Sequence, residues 1–292
     1  MMDVSMFLQL LINGLVLASI YILVASGFSL VLGVTRILNF AHAEFYMLGA
    51  FTFFAMSGLL KLNWILGLIV SAIAMAALGG ICYWFIFKPL YGSFIRTLAA
   101  SMGIGLISVQ GTIVAFGEKD RIMFPIFSGS INIAGATVSA EKLTLCAFAL
   151  LIMLGLGLIL KTKVGKAMYA VAEDQEAAAL QGINVKRIFL VAMSLGCAMA
   201  GVAGSLVAPM FSVNSHMGGA VFIMAILTTI LSGHGSMKGA IIIGSIIGLI
   251  ESFGYYFMGS SNLVLIFFIA LVIIYFKPFG LFGRAHQIIT ER

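Results

Sequence analysis

Six of the polar side chains that interrupt or border the long apolar stretches of this sequence carry amide, imidazole or carboxyl groups that could contact a solute. They are Asn13, Asn39, His42, Glu44, Gln110 and Glu251. Inside a membrane such groups are costly and usually face a bundle interior or a water-filled cavity, so they are candidates for lining a passage. Taken singly, each residue is explained as well by hydrogen bonds between helices, the more common role.

The charged members of this set also have structural alternatives. His42 and Glu44 stand at the start of an apolar window, where they would anchor a broken helix with Asn39 as its N-cap, and this interpretation is favoured. Glu251 is a lone carboxylate among apolar residues, for which a pathway role and structural pairing are equally supported. The polar residues 214–216 would cap a short helix or receive cargo from an external partner, and capping is commoner.

Catalytic and metal-binding patterns are missing from the sequence. The three cysteines, Cys82, Cys146 and Cys197, lie in apolar runs without metal-ligand spacing, which predicts packing residues. His234 stands alone in a glycine-rich turn and is expected to shape it. The sequence contains neither a nucleophile and base at usable spacing nor the phosphate loop G-x-x-x-x-G-K-[ST]. We therefore expect a non-enzyme that binds no metal or cofactor itself.

The long connection at residues 161–187 contains a helix-forming segment with clustered acids. Residues 165–182 are rich in helix formers and end at Gly182, which predicts one short helix parallel to the membrane. Glu173, Asp174 and Glu176 give it a polar side, and its alanines leave a smooth surface that can enter a groove. An amphipathic linker on the headgroups is the alternative. Clustered acids suit an anionic leaflet poorly, which favours a protein partner.

The elements that must position these residues are membrane helices. Of 292 residues, 62% are apolar and 9% charged, a balance that excludes a water-soluble domain. Lipid cannot satisfy backbone polar groups, so the spans must be helical. We predict an all-α, polytopic bundle of eight or nine spans forming one domain, 1–292. The uncharged windows are 7–32, 45–60, 64–87, 98–116, 143–160, 188–210, 219–231, 239–257 and 263–276, with Glu251 the one charge inside them.

Basic residues at the segment ends predict sidedness. The net charge of +6 is scattered instead of forming a stripe, so it indicates topology and not nucleic acid. The cytoplasmic side would hold 161–187, the connections with Arg36 and with Lys88, and the C-terminal tail. The N-terminus and an ordered loop, 117–142, would lie outside. This assignment of loops to the two sides counts 219–231 as a crossing, although the segment is short for one and could be a re-entrant half-helix. Gly244 and Gly248 have the spacing of close helix packing.

Several motifs together resemble a known family. Glu176-Ala177-Ala178 followed by Gly182 looks like the EAA signature with which the permeases of ABC importers dock their ATPases. The stretches 39–50, 13–15 with Tyr21, 200–204 and 232–240 resemble the permeases of branched-chain amino acid importers over nearly the whole chain. Ala43 and Ser232 depart from the glycine often found in relatives, and the EAA segment lacks a Leu-Pro ending. These departures leave the subfamily open.

The resemblance implies an ABC importer permease fold with a cytoplasmic coupling helix in a bacterial inner membrane. The coupling residues would be Gly165, Glu173, Asp174, Glu176, Ala177, Ala178 and Gly182. The implied partners are a homologous second permease, with a heterodimer favoured, two cytoplasmic ATPases that hold ATP and magnesium, and a periplasmic amino-acid-binding protein. The cargo would be leucine, isoleucine and valine.

Two other functions stay open at this point. The same machinery would carry urea, amides or other amino acids equally well, because the motifs report architecture more than specificity. A secondary transporter driven by protons through His42, Glu44 and Glu251 is the second alternative. The sequence alone leaves the cargo, the composition of the pore and its lining undecided.

Overall fold

The computed structural model describes residues 3–123, 125–127, 129–233 and 235–283, and these are mostly helical. His234, Arg284 and Arg292 lie outside the described residues. The helices are α1 (Val4–Thr35), α2 (His42–Phe53), α3 (Trp64–Cys82), α4 (Lys88–Leu90), α5 (Phe94–Phe116), α6 (Ala140–Lys161), α7 (Lys163–Glu173), α8 (Gln175–Leu180), α9 (Val185–Val207), α10 (Met217–Ser232), α11 (Met237–Met258) and α12 (Asn262–Phe276). Two π-helical segments, Phe54–Leu59 and Tyr83–Phe87, extend α2 and α3.

Six helical segments of the described chain are long and apolar enough to cross a membrane. They are Val4–Thr35, Trp64–Leu90, Phe94–Phe116, Ala140–Lys161, Val185–Val207 and Met237–Phe276, the last of which contains both α11 and α12. α10 is a shorter apolar helix, and α2 changes helix type at Phe54. The prediction of a polytopic helical membrane protein is confirmed.

α1 is the central helix, and its small residues allow close approach to its neighbours. A Cβ on Gly248 of α11 would lie 2.7 Å from the Cα of Ala18, and one on Gly27 would lie 2.7 Å from the carbonyl oxygen of Gly196 in α9. Gly244 likewise packs on Ile22, where a Cβ would lie 2.7 Å from that side chain. These contacts confirm the predicted tight packing at Gly244 and Gly248.

The predicted external loop contains a β-hairpin that the all-α prediction omitted. Strands β1 (Ser130–Ile133) and β2 (Ala136–Ser139) pair antiparallel across the turn Ala134-Gly135. Both turn residues have positive φ, 50° and 90°, as a two-residue hairpin turn with the twist of its strands requires. The hairpin was not predicted because its strands are too short to stand out in an apolar sequence. It contacts α1, where Thr137 N donates to Gln9 Oε1 at 2.9 Å.

The connections gather at two ends of the bundle. At one end, Arg121 and Val213 form a backbone bridge with N···O distances of 2.9 and 2.8 Å, which joins the segment after α5 to the one after α9. At the other end, Gly235 N donates to Ser29 Oγ at 3.1 Å, so the turn between α10 and α11 lies beside the C-terminal part of α1.

Candidate functional site

The acidic segment, defined here as residues 163–182, is two helices and not the single one predicted. α7 ends at Glu173 and α8 begins at Gln175, with Asp174 extended between them at φ −150° and ψ 113°. The Asp174 carboxylate accepts hydrogen bonds from Glu176 N at 2.9 Å and Ala177 N at 3.0 Å. Aspartate competes for backbone N–H groups and so favours a helix start over a helix interior. The break is therefore a helix cap.

The two glycines at the ends of this segment are needed for different local reasons. Gly165 is buried, and a Cβ there would collide with the backbone of Leu160, so the turn from α6 into α7 requires glycine. Gly182 has φ 82°, in the left-handed region, and its N donates to the carbonyl of Ala179 at 2.9 Å. The predicted glycine stop at Gly182 is confirmed.

One side of the acidic segment is exposed and combines carboxylates with apolar groups. We call Glu173, Glu176, Ala177 and Leu180, all exposed, the acidic face. Leu180 is 90% exposed, an apolar side chain next to the glycine stop that the sequence reasoning missed. Ala178 is only 4% exposed and joins the hydrophobic core, so it packs inward instead of contributing to this surface.

A second connection supports the acidic segment from the side. Tyr91, which follows α4, donates its hydroxyl to Gln175 Oε1 at 2.8 Å. Its ring lies 5.2 Å from that of Phe189 in α9. Neither Tyr91 nor Gln175 was predicted from the sequence, because residues so distant in sequence carry no joint signal. The contact holds the beginning of α8 against the residues that connect α4 to α5.

Two of the predicted passage residues form hydrogen bonds within the chain. Asn13 Oδ1 accepts a hydrogen bond from Lys142 Nζ at 2.7 Å, which joins α1 to α6. Asn39 is fully buried, and its Oδ1 accepts from Ala41 N at 3.1 Å. The N-cap position of α2 is Ala41, so the expectation that Asn39 is the N-cap is wrong. The amide forms a turn just before the helix instead.

Glu251, in α11, contacts both α1 and α12. Its carboxylate accepts a hydrogen bond from the Tyr21 hydroxyl, and its backbone carbonyl accepts one from Asn262 Nδ2 at 3.1 Å. Both contacts join helices within the chain. This geometry is that of structural pairing, one of the two roles expected for Glu251.

The other three predicted passage residues face different surroundings. His42 is fully buried, with Nε2 3.3 Å from the carbonyl oxygen of Val24. Glu44 is half-buried and faces α5, where a Cβ on Gly105 would lie 3.6 Å from its Cγ. Gln110 is exposed on α5. The structure therefore does not bring the six residues into one cluster, and within its described residues no three His, Cys, Asp or Glu side chains gather as metal ligands.

The described chain is thus a bundle of apolar, membrane-spanning helices with an exposed acidic segment. The family described as "Branched-chain amino acid transport system / permease component" matches residues 10–276. The chain belongs to this family of permeases.

Individual relatives match over nearly the full length. The chain is 29% identical to the high-affinity branched-chain amino acid transport system permease protein BraD of Pseudomonas aeruginosa, over 97% of this chain and 98% of that protein. It is 28% identical to the LivH permease protein of Escherichia coli, over 95% and 96% of the two chains. Another permease protein of that organism, LivM, is 24% identical over 77% of this chain and 59% of its own length. No solved structure matches the chain.

Proposed function

We propose that this chain is the permease subunit of an ATP-binding-cassette importer that moves branched-chain amino acids across a bacterial inner membrane. Family membership supports the permease role, and the names of the relatives support the cargo. The observation that carries the importer mechanism is the acidic face, an exposed helical surface of carboxylates and apolar groups at the end of an otherwise apolar bundle. Such a surface fits a groove on a protein partner.

The whole chain, 1–292, acts as one permease domain with nine crossings in this proposal. The N-terminus lies outside, and the C-terminus and the 161–187 connection lie in the cytoplasm. α10 counts as a crossing because its two ends lead to opposite ends of the bundle. Val213, before α10, bonds to Arg121 at one end, and Gly235, after α10, bonds to Ser29 at the other. The basic residues of 161–187 support a cytoplasmic position for that connection.

The acidic segment serves as the coupling element. Glu173, Glu176, Ala177 and Leu180 contact an ATPase directly, while Asp174 caps α8. Gly165, Ala178 and Gly182 position the two helices against the bundle. The chain itself catalyses no reaction and binds no cofactor. ATP and magnesium are held by two cytoplasmic ATPase subunits, whose closure moves α6 and α9 through this segment.

Two further partners complete the assembly. A homologous second permease is supported by the match to both LivH and LivM, two permease proteins of one organism, and this favours a heterodimer. A periplasmic amino-acid-binding protein supplies cargo at the outer end, where the 117–142 loop and residues 211–216 meet.

The test is uptake of labelled leucine by proteoliposomes that contain the complex purified through this chain. Uptake should require ATP on the coupling side and the binding protein on the other. Uptake driven by a proton gradient without ATP would overturn the proposal in favour of a secondary transporter. Uptake of urea or amides in place of leucine would overturn the cargo while leaving the machinery intact.

A further inference from the structure

α2 begins inside the bundle and not at its surface. Its first residue, His42, contacts the carbonyl of Val24, which lies about 16 Å before the end of α1 at Thr35 at a rise of about 1.5 Å per residue. The chain therefore runs back alongside α1 before α2 starts. Glu44, in the first turn of α2, consequently sits deep in the bundle.

Glu44 belongs to a narrow open stripe on α2. Glu44, Leu48 and Thr52 are partly exposed, whereas the residues between them are buried. Their spacing of four residues places them along one side of the helix. The stripe runs beside α5, and the connection just before α2 is bonded to α5 through Ser101, whose Oγ accepts from Phe40 N at 3.1 Å.

The Glu44 carboxylate is unpaired within the described part of the chain. Among these residues it meets neither a cation nor a hydrogen-bond donor. An ionised carboxylate facing lipid is costly. To be ionised at this position, Glu44 needs water or a cation from outside the chain.

Polar groups lie on both sides of α5, among exposed apolar side chains such as Leu106 and Ile107. Glu44 meets α5 at Gly105, and Gln110 is exposed five residues further on, about 1.4 turns away and so on the far side of α5. Gly105 leaves room next to the carboxylate, since an added Cβ would make only an ordinary 3.6 Å contact. The neighbouring Leu48 and Phe40, the latter 37% exposed, add apolar surface.

We infer that Glu44 is a cargo-binding residue that holds the primary ammonium group of an amino acid as it passes between α2 and α5. A carboxylate next to exposed apolar groups matches a cargo with one ammonium and an aliphatic side chain. This inference rests on the proposed import function. It assigns recognition of the positively charged end of the zwitterion to one residue.

The experiment compares leucine uptake by the wild-type complex with Glu44→Gln, Glu44→Asp and the control Glu118→Gln, which removes an exposed carboxylate of the external loop. Glu44→Gln should lower uptake about tenfold or more, the size of a lost charge-assisted contact. Glu44→Asp should retain more uptake than Glu44→Gln, and Glu118→Gln should match the wild type. The amounts of copurified ATPase and second permease should not change.

A second measurement does not depend on transport. Glu44→Cys should react with a water-soluble cationic thiol reagent. Leucine together with the binding protein should slow that reaction. The unsubstituted chain, in which Cys82 and Cys197 are buried, is the control for background labelling. Wild-type uptake by Glu44→Gln, or an unreactive Glu44→Cys, overturns the inference. Loss of the second permease from Glu44→Gln also overturns it, and assigns Glu44 to a subunit ion pair. A wild-type complex that moves no amino acid refutes the proposed function instead.

Discussion

Single side chains decide the shape of the acidic segment. Asp174 is one of three acids predicted to form a polar side, but propensity favours a continuous helix over 165–182, since alanine and glutamate are good helix formers. One carboxylate bonded to two backbone N–H groups overrides that summed preference. The position of the break depends on local competition between capping and propagation, which a count of helix formers does not resolve.

Asp174→Ala should uncouple the ATPase while leaving the membrane helices folded. Loss of an N-cap costs about 1 kcal/mol, enough to fray a helix as short as α8. We expect less ATPase to copurify with the variant, measured as the ratio of the two proteins in mild detergent. Asp174→Asn is the matched control, because asparagine caps equally well without the charge. If both variants bind ATPase normally, the cap has no part in docking.

The six polar residues illustrate a second limit at the residue scale. Their cost in lipid marks them as unusual, and this was visible in the sequence. Which of them bonds within the chain depends on partners such as Lys142 for Asn13 and Tyr21 for Glu251, 129 and 230 residues away. Among the described residues, Glu44 and Gln110 are the two of the six whose side chains have no polar partner in the chain and are not fully buried.

At the scale of helices, the windows predicted the elements well. Every apolar window overlaps a helix of the structure, because a chain in lipid has few alternatives to helical structure. The details that escaped prediction are changes within a helix, such as the π-helical end of α2, and the hairpin of the external loop. These features depend on packing against neighbours more than on composition.

Replacing Gly248 should separate α11 from α1. Because a Cβ there meets the Ala18 backbone, Gly248→Val forces the helices apart, and overpacking of this kind costs about 1–3 kcal/mol. The melting temperature of the purified chain should fall. Gly157→Val is the control, since Gly157 on α6 has nothing within 4 Å of an added Cβ. Equal melting temperatures for the two variants would show that the α1–α11 contact is not tight.

At the scale of the whole molecule, the number of crossings depends on α10. Phe211 and Lys238 are exposed residues on either side of it. A full crossing predicts that Phe211→Cys reacts with an impermeant maleimide from outside, whereas Lys238→Cys reacts only in inside-out vesicles. The unsubstituted chain gives the background from the native cysteines. Labelling of both positions from one side would make α10 re-entrant and reverse the orientation of every element on one side of it.

The central position of α1 has a consequence for how the protein is made. α1 is the first helix to leave the ribosome, yet much of its surface is covered by α9, α10 and α11 from the last part of the chain. At about 5–20 residues per second, the roughly 180 residues between the end of α1 and the start of α10 take about 10–40 seconds to synthesise. During that interval the face of α1 that α10 and α11 will cover lies in lipid or is held by the insertion machinery. A nascent chain that stops before α10 would therefore leave this face of α1 uncovered. Membrane quality control can recognise such an exposed helix face.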